Sequence, residues 1–439
     1  MDLNFLKNCR SLRVFPKIIS FSLPNTSPKD VTAIRKRRLL RSAIERRSKE
    51  LNKIEAERDR ISKKLQRFLR KLKKNGEIDV TTYKGIYPTG SQPSRIYGLP
   101  KMHKIRAPSS ATPPFRPIVS SIGTYNYNLA KFLCTLLDCH IPSDFCARDT
   151  FSFVNEITDL RTSDKFMLSF DVESLFTNIP LLESIELAVD YILTGNPNIR
   201  LSKDNLKELF LIATAQTHFL FQGNYYDQID GVAMGSPLAP VLANLFMGHH
   251  ERMWLQLYDG PAIYFYRRYV DDTFCLFNNE KDALEFFQYI NDKHPNIRFT
   301  METEVNHKLP FLDVLLDNSN PPSLVTSVFR ESTYTGLLTN FFSFTPFPNK
   351  LGLIRTLVDR TFKINNTWIG FHNNIKELTN VLGKNQFPSS LVNKTVKHYL
   401  SNFFASTSRT FAATSSNVSR THYYKLPFLA LSRLRSPQN

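Results

Sequence analysis

Three aspartates stand out for the chemistry their surroundings would permit. Tyr269-Val270-Asp271-Asp272 lies between two short apolar, aromatic runs, Ile263-Tyr264-Phe265-Tyr266 and Thr273-Phe274-Cys275-Leu276-Phe277. Both flanks have strand composition, and a two-residue acidic step between them is the size of a hairpin turn. Adjacent carboxylates repel unless a cation sits with them, although turn chemistry alone also favours Asp. Well upstream, Lys165-Phe166-Met167-Leu168-Ser169-Phe170 reads as a buried strand that runs into Asp171-Val172-Glu173. A carboxylate ending one strand and a pair at a hairpin tip are able to converge on one cation site. Hard cations such as magnesium take oxygen ligands and leave positions for phosphates. Two of them can hold an attacking hydroxyl and a departing phosphate oxygen in line.

Between these segments lies Gly231-Val232-Ala233-Met234-Gly235-Ser236-Pro237-Leu238-Ala239-Pro240. Ser236 suits a helix N-cap and Pro237 the first helical position. Leu238, Val241, Leu242 and Leu245 recur at helical spacing, so a Gly-rich loop opens a buried helix. The glycines permit close backbone approach to a nucleotide or template strand; an ordinary loop-to-helix junction is the other possibility.

Carboxylate strand, Gly-Ser-Pro loop and Tyr-x-Asp-Asp hairpin, in that order, resemble motifs A, B and C of a reverse transcriptase palm. The wording Tyr97-Gly98-Leu99-Pro100-Lys101-Met102-His103-Lys104, Arg116-Pro117-Ile118-Val119-Ser120 and Phe170-Asp171-Val172-Glu173-Ser174-Leu175-Phe176-Thr177-Asn178-Ile179-Pro180 resembles Penelope-like retroelement reverse transcriptases. Phe299 to Glu304 and Pro310-Phe311-Leu312-Asp313 look like that family's motifs D and E. The likeness covers roughly residues 80 to 400.

The resemblance implies an α+β right-hand polymerase: fingers, a palm with an antiparallel ferredoxin-like sheet, and a helical thumb with a helix-turn-helix-like bundle. It implies an RNA-directed DNA polymerase of a retrotransposable element, with an RNA template, a DNA primer or target DNA, and dNTPs as partners. Asp171 and Asp271 would bridge two Mg2+ ions, or Mn2+ in their place, with the Val172 carbonyl as a further ligand and Asp272 supplementing the site. Arg116 matches the family's fingers arginine, and its guanidinium suits a triphosphate. Lys101 is a second nucleotide candidate, with a general surface role for it, Lys104 and Arg106 equally open. Phe176 falls at the steric-gate position, with a core phenylalanine as the alternative. Gly235 and Ser236 would shape the floor beneath the templating base, and Phe311-Leu312 the primer grip. Lys293, Arg298 and Lys308 are alternatives for the motif D cation. One departure concerns motif B: Asp230 stands where many reverse transcriptases carry Gln, and Gln228 lies two places upstream.

The elements that must position these residues follow from composition and periodicity. The chain has 439 residues and a formal charge of +18, which suits a polyanionic partner. From Ile34 to Lys74 there are 18 Lys or Arg against 5 Asp or Glu. Leu40, Ile44, Leu51, Ile54, Ile61, Leu65, Phe68 and Leu72 form one seam, predicting a basic helical arm that contacts phosphates or a solvated helix face. Organisation is expected as an N-terminal basic region over 1–75, fingers and palm over 76–320, a helical thumb over 321–405 and an irregular tail over 406–439. The Asn/Pro-rich Asn318 to Pro322 marks the end of the palm.

Cys9, Cys134, Cys139, Cys146 and Cys275 are scattered, and none has the close spacing of a zinc site. Cys134, Cys139 and Cys146 are therefore expected as buried thiols, and a reduced intracellular compartment, nuclear or cytoplasmic, as the location. No apolar run reaches membrane-spanning length. Gly85-Ile86-Tyr87 and Ile96-Tyr97-Gly98 mimic a GIY-YIG nuclease only superficially, since the second element is reversed. Tyr423 to Phe428 resembles the start of the family's endonuclease linker, and the sequence departs from it from Ala430 onward. A copy lacking the endonuclease is thus expected, with a catalytically silent nucleic-acid-binding remnant or an RNA-copying RNA polymerase as rival possibilities.

Overall fold

The computed structural model describes residues 14–16, 59–89, 92–101, 115–215, 218–221, 224–319 and 322–414. The chain divides into two compact units assembled from discontinuous segments. The first takes Met1–Cys146, Phe170–Pro261 and Leu284–Met301; the second takes Ala147–Ser169, Ala262–Ala283 and Glu302–Asn439.

The first unit carries a five-stranded sheet made of β1 (Val14–Pro16), β2 (Ser94–Pro100), β3 (Phe115–Ser120), β5 (His218–Phe221) and β6 (Asn224–Gln228), in the order β1-β6-β5-β2-β3. β2 and β3 pair antiparallel, from Arg95 opposite Ser120 to Pro100 opposite Phe115. Alternation along these strands sends Ile96 and Val119 inward with Phe219, Phe221, Tyr226 and Ala233, leaving Arg116 on the exposed side. The unit's larger core belongs to helices Tyr127–Leu137, Leu181–Gly195, Lys203–Thr214 and Leu238–Gln256, which bury Leu133, Ile185, Leu209 and Leu242 among others. Each such side chain contributes roughly 1.5–3 kcal/mol.

The helix over 59–74 joins this core and is not a free arm. Ile61, Leu65, Leu69 and Leu72 are buried in it, with Phe68 half-covered at the margin. Leu69, outside the predicted seam, belongs to the packed face because steps of four carry it around with Ile61 and Leu65. Several of its cations are engaged locally: Lys64 pairs with Glu208 at 2.7 Å, Arg70 donates to the Tyr87 hydroxyl at 2.7 Å, and Lys73 lies over the Tyr83 ring. The remainder of the predicted seam, from Leu40 to Ile54, lies outside the described residues.

The second unit contains β7 (Phe265–Tyr269) and β8 (Asp272–Phe277), members of a four-stranded sheet ordered β7-β8-β4-β9, where β4 is Phe166–Val172 and β9 is Phe299–Thr303. A three-stranded meander follows, β10 (Lys308–Phe311), β11 (Val314–Asp317) and β12 (Val325–Val328). Phe153 packs against Phe274 and Phe311 with ring centroids 5.5 and 4.8 Å apart, joined in the core by Met167, Leu309 and Leu316. Helices Phe347–Ile364, Trp368–Lys384 and Ser389–Thr414 form a bundle around Ile354, Val358, Phe371, Leu378 and Val396. The last helix runs to Thr414, past the expected end of helical structure at 405; residues 415–439 lie outside the described ones.

Asn318, at the head of the Asn/Pro-rich segment, is tied to Thr162. Asn318 is buried, its Oδ1 accepts from the Thr162 hydroxyl at 2.7 Å, and its Nδ2 donates to the Thr162 carbonyl at 3.1 Å. Among the described residues no helix is long and apolar enough to cross a membrane.

Candidate active site

In the first unit the Gly-rich loop is fastened at both ends. Gly231 has φ +72°, and a Cβ there would meet the Thr177 and Phe176 carbonyl oxygens at 2.7 and 2.8 Å. The next residue, Val232, donates its N–H to the Phe176 carbonyl at 2.7 Å. At the other end, Val119 donates to the Met234 carbonyl at 2.7 Å, and the Ser121 hydroxyl donates to the Gly235 carbonyl at 2.8 Å. Gly235 has φ +119°, and a Cβ would lie 2.4 Å from the Val119 oxygen. The glycines are required because this loop is threaded between β3 and the turn that carries Phe176.

These contacts draw four predicted residues onto one framework. Arg116 lies on β3, three residues before Val119, with an exposed side chain. Lys101 follows β2 and is half-buried. Phe176 is half-buried against the helical core, so both its proposed role and its packing draw on the same ring. Ser236 departs from the cap geometry expected of it. Pro237 occupies the N-cap, and Ser236 Oγ merely accepts from the Leu238 N–H at 3.4 Å.

Asp230 has a structural occupation that explains why it stands in place of Gln. Its Oδ1 accepts from the N–H of Leu181, the first residue of helix Leu181–Gly195, at 3.1 Å, and from Gly231 N–H at 2.8 Å. The carboxylate therefore caps a helix start, where negative charge is favourable, and braces the loop. Gln228 donates to the Asp230 carbonyl at 3.1 Å.

Asp171 is half-buried near the end of β4, and buried Val172 ends the strand. Ser174, in the left-handed region at φ +49°, then turns the chain into helix Leu175–Asn178. Glu173 donates its N–H to the Arg298 carbonyl at 2.8 Å, and Thr300 donates its hydroxyl to the Asp171 carbonyl at 3.3 Å. The loop after β4 is thus held from the β9 side.

In the second unit the acidic hairpin is one residue out of its predicted phase. Tyr269 pairs with Asp272, so the turn is Val270-Asp271 and Asp272 opens β8. Val270 sits at φ +59°, an uncommon conformation for a β-branched side chain. Fully buried Arg268 holds it there, donating Nη1–H to the Val270 carbonyl at 3.0 Å. Pattern reading passes over Arg268 because a charged residue in a strand is usually assigned to the solvent face. Asp271 and Asp272 are both half-buried.

The β10–β11 turn repeats this device, with Leu312 at φ +56°. Phe311 is buried against Phe153 and Phe274, and the turn residues Leu312 and Asp313 are half-buried. Asp313 pairs with Arg360 of helix Phe347–Ile364. Among the motif D candidates, Lys293 lies 3.7 Å over the Tyr289 ring, Arg298 donates to the Asn291 carbonyl at 2.8 Å, and Lys308 pairs with Asp317 at 3.1 Å.

The cysteine expectation needs correction. Only Cys275 is buried; Cys139 is exposed, Cys134 and Cys146 are intermediate, and Cys9 lies outside the described residues. Burial, with the neighbouring Asp138 charge adding, pushes the Cys134 thiol up to about 11, which keeps it protonated.

The strand-end carboxylate, the acidic hairpin and the doubly anchored Gly-rich loop thus belong to a chain of mixed α+β fold, with helices and antiparallel sheets. Residues 101–304 match the family model for reverse transcriptase (RNA-dependent DNA polymerase), and residues 337–397 match that of the animal helix-turn-helix domain. No curated protein sequence matches the chain significantly.

Solved structures similar to the chain include telomerase from Candida albicans in complex with a TWJ fragment of telomeric RNA. It is 13% identical over 73% of this chain and 56% of that one, with a TM-score of 0.48. Apo telomerase from Candida tropicalis is 10% identical over 73% of this chain and 59% of that one, at TM-score 0.42. The Sicinivirus 3Dpol RNA-dependent RNA polymerase is 14% identical over 72% and 71%, at 0.43. The chain spans little more than half the length of these telomerases.

Proposed function

We propose that the protein is an RNA-directed DNA polymerase of a Penelope-like retroelement, adding deoxynucleotides to a primer 3′ hydroxyl on an RNA template. The observation that carries this is the reverse transcriptase match over 101–304, which takes in Lys101, Arg116, Asp171, Phe176, the Gly-rich loop and the Asp271-Asp272 hairpin in one continuous stretch.

The donor set suits magnesium: carboxylates of Asp171 and Asp271 with the Val172 carbonyl are all hard oxygens, and no imidazole or thiolate stands beside them in the sequence. When bound, paired ions of this kind lower the pKa of the attacking hydroxyl and neutralise the departing pyrophosphate. The chain's own residues do the positioning. Arg116 offers two parallel N–H donors to a phosphate. Phe176 faces the ribose and leaves no room for a 2′ hydroxyl. The Gly235-Ser236 backbone supports the templating base without a side chain in the way. Leu312 at the β10–β11 turn steadies the primer end, and cations of the helical bundle meet the duplex backbone.

Primer extension with matched RNA and DNA templates, supplied with deoxynucleotides or ribonucleotides, tests the assignment. Elongation on RNA with deoxynucleotides is expected. A ribonucleotide preference identifies an RNA polymerase instead, and duplex binding without any product identifies a silent remnant.

A further inference from the structure

A cluster of metal-ligating side chains in the first unit has no part in the chemistry above. Glu183 lies in the first turn of helix Leu181–Gly195, His250 near the end of helix Leu238–Gln256, and His294 in the turn between helix Glu280–Asn291 and β9. His250 Nε2 stands 3.0 Å from Glu183 Oε1, and His294 Nε2 stands 3.5 Å from Glu183 Oε2. Ligand atoms of the three residues all lie within 4.8 Å of one another. A tetrahedral zinc ion with bonds of about 2.0–2.1 Å separates its ligands by about 3.3 Å, so small side-chain movements would close the site.

We propose that Glu183, His250 and His294 form a binding site for a zinc-class divalent cation, distinct from the polymerase magnesium site.

Three features support it beyond proximity. The rings are set in place: Phe246 lies 4.4 Å from His250 and 5.2 Å edge-on from His294, and Trp254 stacks on His250 at 5.3 Å. The two imidazoles are 11% exposed and the carboxylate 40%, which provides an entry route for an ion along the Glu183 side. Finally, two imidazole nitrogens and one carboxylate oxygen are a borderline donor set, suited to zinc and poorly suited to magnesium or calcium. Three protein ligands leave a fourth position for water. The adjacent His249 is engaged elsewhere, its Nδ1 lying 3.1 Å from the Tyr191 hydroxyl.

Occupancy has a specific consequence at His294. In the metal-free chain the Asn296 N–H donates to His294 Nδ1 at 3.1 Å, which places the ring proton on Nε2, facing Glu183. A cation at Nε2 moves that proton to Nδ1, with no net proton released from this ring, and Asn296 loses its acceptor. The ion would join three segments distant in sequence. One of them is the connector leading to Arg298, whose carbonyl accepts from Glu173 N–H. The site therefore clamps the support of the loop after Asp171.

The test titrates the full chain with Co2+ while millimolar Mg2+ occupies oxygen-only sites. One equivalent giving the visible absorption of four-coordinate cobalt, displaced by Zn2+, is expected. The signal should vanish in His294→Ala and Glu183→Gln and survive in Cys139→Ala, which removes an exposed thiol. Hydrogen exchange of the peptide spanning Asn296, which needs no variant, should accelerate locally on Zn2+ addition. Cobalt absorption that persists in His294→Ala overturns the proposal. So does wild-type protein showing neither the absorption nor any Zn2+ effect on exchange at Asn296.

Discussion

Replacing Gly235 by Ala tests the loop geometry on which the nucleotide-site assignment rests. At φ +119° an L-residue is held in a conformation that costs about 1–3 kcal/mol. The new Cβ would also lie 2.4 Å from the Val119 carbonyl oxygen, a contact that only backbone movement can relieve. Val119 is buried in β3 and fastened to Met234, so the relief disturbs the strand carrying Arg116. Forcing a carbon into such a place costs a further ~1–3 kcal/mol. The sum, roughly 2–6 kcal/mol, lowers the melting temperature by several degrees in a unit of this size. Gly352 is the matched control. It lies inside helix Phe347–Ile364 with no atom within 4 Å of an added Cβ, so Gly352→Ala should stabilise by about 0.5–1 kcal/mol. Thermal melts followed by tryptophan fluorescence and by circular dichroism, with KM for deoxynucleotide measured alongside, provide the assay. Opposite signs of the two shifts, with KM raised only in Gly235→Ala, are expected. A Gly235→Ala protein that melts and extends primers like the wild type refutes the threading of this loop.

Other predictions follow from single residues. Phe176→Ala should retain deoxynucleotide addition and lower discrimination against ribonucleotides by about 10–100-fold in competition assays, the scale on which an apolar pocket rejects an added hydroxyl. Arg268→Met removes the buried donor to Val270 and should cost roughly 2–4 kcal/mol by denaturant unfolding, with primer extension reduced because the Asp271 turn is released. Asp79 caps helix Val80–Ile86, and the Thr82 N–H holds its carboxyl below the usual carboxylate range. A depressed folded-state pKa contributes stability that is present above the unfolded value and lost as pH falls through the folded one. Asp79→Ala should therefore melt lower than the wild type at pH 7, and the gap should close on acidification below pH 4.

Legibility in the sequence followed the range of the interactions involved. The hairpin, the Gly-rich loop and the buried helix it opens were visible because turn chemistry and periodicity are local. The missed features depend on distant partners. Nothing near Asp230 in sequence announces that it caps Leu181, and nothing near Asn318 announces Thr162. Arg268 resembles a surface cation until the Val270 carbonyl is seen above it. Glu183, His250 and His294 have no common spacing, so no motif could join them. On the basic helix the apolar seam was legible at Ile61, Leu65 and Leu72, all of them buried, whereas the charge count says nothing of what packs against that face.

The most direct test of the polymerase account is the rate of single-nucleotide addition by Asp171→Asn and Asp271→Asn at saturating Mg2+ on an RNA-templated primer. Each neutral amide removes a cation ligand, and forfeiting several kcal/mol of transition-state stabilisation lowers the rate on the order of a thousandfold or more. Duplex affinity should stay within a few-fold, since neither carboxylate grips the backbone. Either variant adding nucleotides at close to the wild-type rate would contradict the account.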